Sequence, residues 1–203
     1  MLRSKTPLKK DWEPRLTEAK AGQRIVYFMD AAHFVFAPFL GYLWSLSRLF
    51  VRAPSGRKRF NVLGALNAIT HEVVTVTHDS YINAQSVCTL LIQLAALHVN
   101  IPLTLVLDNA RYQKCTVVQE LAALLHVELL YLPSYSPNLN LIERLWKFVK
   151  KQCLYSKYYA DYDAFTKAIS YCLQHTHDLH KKELDSLLTL RFQTFEKVQI
   201  ISV

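Results

Sequence analysis

Asp108 and Glu143 are the residues whose type and setting speak most directly of chemistry. Asp108 ends the apolar run Leu103-Thr104-Leu105-Val106-Leu107 and is followed at once by Asn109-Ala110-Arg111. Glu143 closes the stretch Leu132-Pro133-Ser134-Tyr135-Ser136-Pro137-Asn138-Leu139-Asn140-Leu141-Ile142-Glu143, where a turn rich in Pro, Ser and Asn gives way to a helical pattern. A third acid follows by the same rule: Arg24-Ile25-Val26-Tyr27-Phe28-Met29 is a short β-branched and aromatic run that reads as a strand ending in Asp30. Acids at the tips of two buried strands and in the first turn of a later helix can converge on one point. A hard cation such as Mg²⁺ takes oxygen ligands and is held by one or two carboxylates plus waters and substrate phosphates. Three acids from three elements therefore suffice for a two-metal clamp on a phosphodiester. For any one of them taken alone, capping the next helix remains an equal reading.

The elements that must position these acids follow from periodicity. After the strand ending at Asp30, strands are expected around Tyr42 to Leu46, at Phe60 to Leu66, and, beyond a turn, at Glu72 to Val76. Asn83 to Leu97 is apolar at 87, 90, 91, 94, 95 and 97, the stripe of an amphipathic helix with Asn83 as cap. Leu103 to Leu107 reads as a strand buried on both faces. Thr116 to Leu125 reads as a helix, Val127 to Leu132 as a short strand, about Leu139 onward as the helix carrying Glu143, and Phe165 to Leu173 as a further amphipathic helix. The class is α/β, a mixed sheet flanked by helices.

Three blocks carry a resemblance. Phe28-Met29-Asp30-Ala31-Ala32-His33-Phe34, Val106-Leu107-Asp108-Asn109-Ala110-Arg111-Tyr112 and the Leu132 to Trp146 run resemble the signature blocks of DDE transposases of the IS630 type, in the IS630/Tc1/mariner superfamily. Residues 109–142, thirty-four in all, separate the last two acids, the spacing typical of that bacterial group. The resemblance implies a ribonuclease H-like fold with a mixed five-stranded sheet, Asp30 on the central strand and Asp108 beside it. It implies Asp30, Asp108 and Glu143 as catalytic ligands of two Mg²⁺ or Mn²⁺ ions, strand cleavage at a transposon end, strand transfer and a TA target.

The domain organisation expected is an N-terminal arm or linker at 1–22, charged and broken by Pro7 and Pro14, a catalytic domain at 23–160, and a helical C-terminal extension at 161–203. Family members typically begin with helix-turn-helix modules, and nothing before Tyr27 looks like one. A catalytic half, working as a homodimer or with an upstream helix-turn-helix-bearing part, is therefore expected. The length of 203 residues with 51% apolar content supports one core.

A net charge of +8 suits a polyanionic partner, here DNA, because Lys and Arg that neutralise phosphates release counterions. Arg57, Lys58 and Arg59 form one basic cluster; Lys147, Lys150 and Lys151 fall at helical spacing from Glu143, so that Lys147 and Lys150 face the same backbone, with a solvated helix face as the alternative. Asn109, Asn140 and His33 are candidates for holding the carboxylates or their loops, against ordinary turn chemistry for the asparagines and a satisfied structural role for the histidine. Trp146 reads as packing the helix of Glu143 onto the sheet. The His175-Thr176-His177-Asp178-Leu179-His180 segment reads as a polar loop rather than a metal cluster.

The longest apolar stretch, 34–43, is too short and broken to span a bilayer, and Cys88, Cys115, Cys153 and Cys172 form no Cys-x-x-Cys pair. A cytoplasmic, nucleoid-associated protein is expected. Two rival readings share the same acids: another ribonuclease H-like or Holliday-junction-type nuclease, and a catalytically silent transposase-derived protein that binds DNA or a transposase subunit.

Overall fold

The computed structural model describes residues 8–36, 46–47, 58–133 and 139–190. Its centre is a five-stranded sheet in the order β3-β2-β1-β4-β5, with β1 spanning Ile25–Phe36, β2 Lys58–Asn67, β3 Val73–His78, β4 Leu103–Leu107 and β5 Val127–Tyr131. The first three strands are antiparallel neighbours, whereas β1, β4 and β5 run parallel. The mixed sheet has β1 at its centre, as expected, but β1 is twice as long as the run ending at Asp30. It continues through Ala31-Ala32-His33 because β2 offers ladder partners out to Phe36. Asp30 is thus a mid-strand residue, not a strand end. The expected strand at 42–46 and Trp44 lie, exposed Leu46 apart, outside the described residues, as do Arg57 and positions 134–138 of the Pro- and Ser-rich block.

Strand alternation divides the sheet into two apolar faces. Val26, Phe28, Ala32 and Phe34 of β1 look onto α4 (Ile142–Cys153), α5 (Tyr162–Gln174) and α7 (Lys181–Leu187). Tyr27 and Met29 look onto α2 (Ala84–Leu97) and α3 (Thr116–Leu124) on the other side. β4 is buried on both faces, which is what its unbroken apolar sequence requires. The start of α2 is set by a capping box: Asn83 Oδ1 accepts from the Ser86 backbone N–H at 3.0 Å, and Ser86 Oγ accepts from the Asn83 N–H at 3.3 Å. The β2–β3 turn is closed by Asn67 Oδ1, which accepts from the N–H groups of Ile69 and Thr70 at 2.9 and 3.0 Å.

The arm expected at 1–22 is corrected over most of its length. Residues Leu8–Lys20 form a helix, α1, with Pro14 inside it. Proline removes one backbone hydrogen bond, but tertiary packing offsets that loss: Trp12, Leu16 and Ala19 are buried in the core on the α4 face. Arg15 pairs with Glu128 on β5 at 2.7 Å, and Arg24 reaches the same carboxylate at 3.1 Å while donating to Thr104 Oγ1 on β4 at 2.9 Å. The Arg15 hydrogen bond leads in holding the Glu128 carboxyl below its usual range. The His-rich segment holds a short helix, α6 (Thr176–Leu179), with His175 stacked on Tyr171 at 4.0 Å between ring centroids.

Trp12→Ala should therefore lower stability by about 3 kcal/mol or more, read from the midpoint of denaturant unfolding. A detached arm would give a change within about 0.5 kcal/mol.

Candidate active site

Asp30 and Asp108 are brought together by register. The β1–β4 ladder pairs Phe28 with Val106, so two residues further on Asp30 lies level with Asp108, just past the end of β4. Both acids are two residues beyond an apolar side chain of the α4 face, Phe28 and Val106, and alternation turns them to that face. Glu143 comes in from above, in the first turn of α4, whose buried side, Ile142, Leu145, Trp146 and Val149, lies on the sheet.

The three carboxyls feel one another's charge. Burial, and then the charges of Asp108 and Glu143, push the Asp30 carboxyl up to about 7. Asp108 is raised by burial and drawn back by the Asn140 amide. Glu143 is raised by burial and by Asp108, and drawn back by Lys147 and Lys150. Those two lysines thus share the helix side of Glu143, while Lys151 turns away to Glu183 at 3.8 Å.

The remaining sequence-predicted residues divide. Asn140 is buried and donates through Nδ2 to the Met29 carbonyl at 3.2 Å, tying the start of α4 to β1 beside the acids; its Oδ1 is buried with no hydrogen-bond partner. Asn109 donates to the Leu132 carbonyl, so it fastens the loop after β4 to the end of β5 rather than touching a carboxylate. His33 is an odd number of residues from Asp30 along β1, which turns it to the opposite face, and its Nδ1 meets Asn61 Oδ1 at 2.6 Å. Lys58 and Arg59 open β2 opposite Phe36 and Val35. They stand five or six residues along the ribbon from Asp30, about 20 Å away at 3.3 Å per residue.

The family model described as DDE superfamily endonuclease matches residues 25–166, a span that contains all three acids. The chain belongs to this family. No curated protein matches it in sequence. Among solved structures it is similar to the Mos1 mariner paired-end complex with Mn, at a TM-score of 0.62 and 17% identity over 89% of this chain and 58% of that one. The Mos1 strand transfer complex gives 0.59 and 15%, over 93% and 61%. The HTLV-2 integrase catalytic core domain in complex with magnesium gives 0.51 and 14%, over 77% and 88%. The fold is therefore that of transposase and integrase catalytic cores, the ribonuclease H-like arrangement; the chain spans about three fifths of the Mos1 chains' length.

As a DDE endonuclease domain the chain has a donor set suited to a hard divalent cation: three carboxylates and the unpartnered Asn140 amide oxygen, all oxygen donors. Among the described residues no group of three or more His, Cys, Asp or Glu side chains stands gathered as it would to hold a metal ion. None is needed where waters and substrate phosphates complete the shell. Two residues near the acids carried no clear sequence signal for a role there. Tyr112, in the short 3₁₀ turn Arg111–Gln113, has its hydroxyl pushed up by burial and by the charges of Asp30 and Asp108. Gly64 sits directly opposite Asp30 in the β1–β2 ladder.

The raised Asp30 carboxyl fixes a sign. Between about pH 4 and 7 the folded protein holds a proton that the unfolded chain has released, so without metal its stability falls as pH rises through that window. In EDTA near pH 7.5, Asp30→Asn should melt at least about 2 °C above wild type and flatten that pH dependence. A variant melting below wild type would mean that the carboxylate is not held against burial and repulsion.

Proposed function

We propose that this chain is the catalytic core of a DNA transposase of the IS630 type, in which Asp30, Asp108 and Glu143 hold two Mg²⁺ or Mn²⁺ ions. The observation that carries the reading is the alignment of Asp30 and Asp108 on one face of adjacent parallel strands, with Glu143 over them on α4. Such ions, when bound, activate the attacking oxygen and stabilise the leaving one.

The reaction is two in-line phosphoryl transfers. In the first, a water oxygen bonds to phosphorus and the P–O3′ bond breaks, freeing a 3′-hydroxyl at the element's end. In the second, the oxygen of that hydroxyl bonds to a target phosphorus and the target's own P–O3′ bond breaks, leaving a 3′-hydroxyl on the target strand, with TA as the expected dinucleotide. No covalent bond to the protein forms in either. Lys147 and Lys150, on the helix side of Glu143, grip the backbone next to the scissile phosphate. Lys58, about 20 Å along the β1–β2 ribbon and on the face of Asp30, holds the same duplex roughly six base pairs away; Arg59, paired with Val35, turns to the other face, and Arg57 extends the basic cluster in sequence. The partners are DNA together with a second copy or a helix-turn-helix-bearing transposase part, and the setting is the nucleoid of a bacterial cytoplasm. The Mos1 neighbours are strand-transfer and paired-end complexes, which supports this reading. No helix among the described residues is long and apolar enough to cross a membrane.

Asp30→Asn, Asp108→Asn and Glu143→Gln should each reduce Mn²⁺-dependent strand cleavage more than about tenfold while leaving duplex affinity within a factor of two or so. Full cleavage by Glu143→Gln would remove that acid from the ligand set. Wild-type binding without any cleavage would favour the silent, DNA-binding reading. A separate titration addresses the lysines: replacing Lys147 and Lys150 by Ala should lower the magnitude of the log-log salt slope of binding by about one for each phosphate that is no longer neutralised. An unchanged slope would place the DNA elsewhere.

A further inference from the structure

Gly64 lies in the interior of β2, directly opposite Asp30, with a backbone any residue could adopt. Glycine inside a strand is unfavourable unless something must come close. Here that something is Trp146. A Cβ at position 64 would meet Trp146 Cη2 at 2.6 Å, Trp146 Cζ2 at 2.9 Å and Ile142 Cδ1 at 3.1 Å. The indole's benzo edge, Cη2 and Cζ2, fills the slot left by a missing side chain, one strand away from Asp30, and Phe34 meets the ring in an edge contact at 6.3 Å.

Packing alone does not account for a tryptophan at this place. Its ring is buried, yet its Nε1–H has no hydrogen-bond partner of ordinary geometry. An orphaned buried donor is destabilising, a cost that a phenylalanine would avoid. The carboxyl at hand is that of Asp30, directly opposite Gly64 in the ladder and on the same face of the sheet. Hydrogen bonds to an ionised partner are the strong ones.

We propose that Trp146 is the positioning residue for Asp30: its indole N–H, seated by the slot at Gly64, donates to one oxygen of the ionised carboxylate and leaves the other free for a cation. The same slot sets how deeply α4 sits on the sheet. Because Glu143 is one helical turn before Trp146, Gly64 also governs where Glu143 stands relative to Asp30 and Asp108. This inference rests on the metal-holding role proposed above for the acids, and its test separates the two.

The three tryptophans, Trp12, Trp44 and Trp146, give three indole signals in proton–nitrogen correlation spectra, and the one that disappears in Trp146→Phe is that of Trp146. In EDTA at neutral pH, Asp30→Asn should move this signal and leave that of Trp12 in place; Mg²⁺ added to wild type should move it as well. Trp146→Phe, which keeps the ring in the slot, should keep its melting temperature in EDTA near that of wild type but bind Mg²⁺ about tenfold more weakly in titration calorimetry. Gly64→Ala should weaken Mg²⁺ binding at least as much. A Trp146 signal indifferent to Asp30→Asn overturns the proposal, and so does a Trp146→Phe protein that binds Mg²⁺ as tightly as wild type. A signal that responds to Asp30→Asn in a protein unresponsive to Mg²⁺ supports the hydrogen bond and overturns the metal reading alone.

Discussion

Two carboxylates held level on adjacent parallel strands, in a place that removes much of their water, repel each other and resist ionising; the rest of the structure is arranged around that constraint. Burial alone raises Asp30 more than either neighbouring charge does, so the sheet does not merely tolerate the pair but withholds the solvent that would relieve it. Such a site is costly to the fold until a cation or a proton neutralises it. What keeps the acids in place is rigid: β4 buried on both faces, β1 paired on both sides up to Phe28, and α4 docked through four large apolar side chains, Ile142, Leu145, Trp146 and Val149.

The second demand is access. The acids lie where β4 ends and β1 runs on with β2 alone, so the parallel half of the sheet stops at the place where a backbone phosphate would need to enter. Lys147 and Lys150 then offset part of the negative charge on Glu143 from the solvent side, a partial neutralisation that would pass to the phosphate and its metals when they are present. The basic start of β2 lies at the far end of the same ribbon.

Much of this was legible in sequence because it rests on local chemistry. The unbroken apolar run before Asp108, the Asn83 cap and the helical switch before Glu143 each have one physical reading, and each sits in the structure where that reading puts it. Two misplacements share a cause, which is that distant partners overrode local signals. Asp30 looked like a strand end because Ala31-Ala32-His33 breaks the apolar pattern, yet β2 carries the strand through. Pro14 looked like a breaker, yet Trp12 and the Arg15–Glu128 pair keep α1 on the sheet. His33 sits near Asp30 in sequence, but a period of two turns it to the other face, to Asn61. Gly64 gave no signal at all, since its role is defined by a ring eighty-two positions away.

The central claim is that the sheet and α4 together hold Asp30, Asp108 and Glu143 for divalent cations, and crystals soaked in Mn²⁺ test it most directly through anomalous scattering. The account predicts a strong peak within about 2.3 Å of carboxylate oxygens of both Asp30 and Asp108, with Glu143 at it or at a second peak beside it. Manganese bound elsewhere on the molecule, with those carboxylates left to water alone, would contradict it.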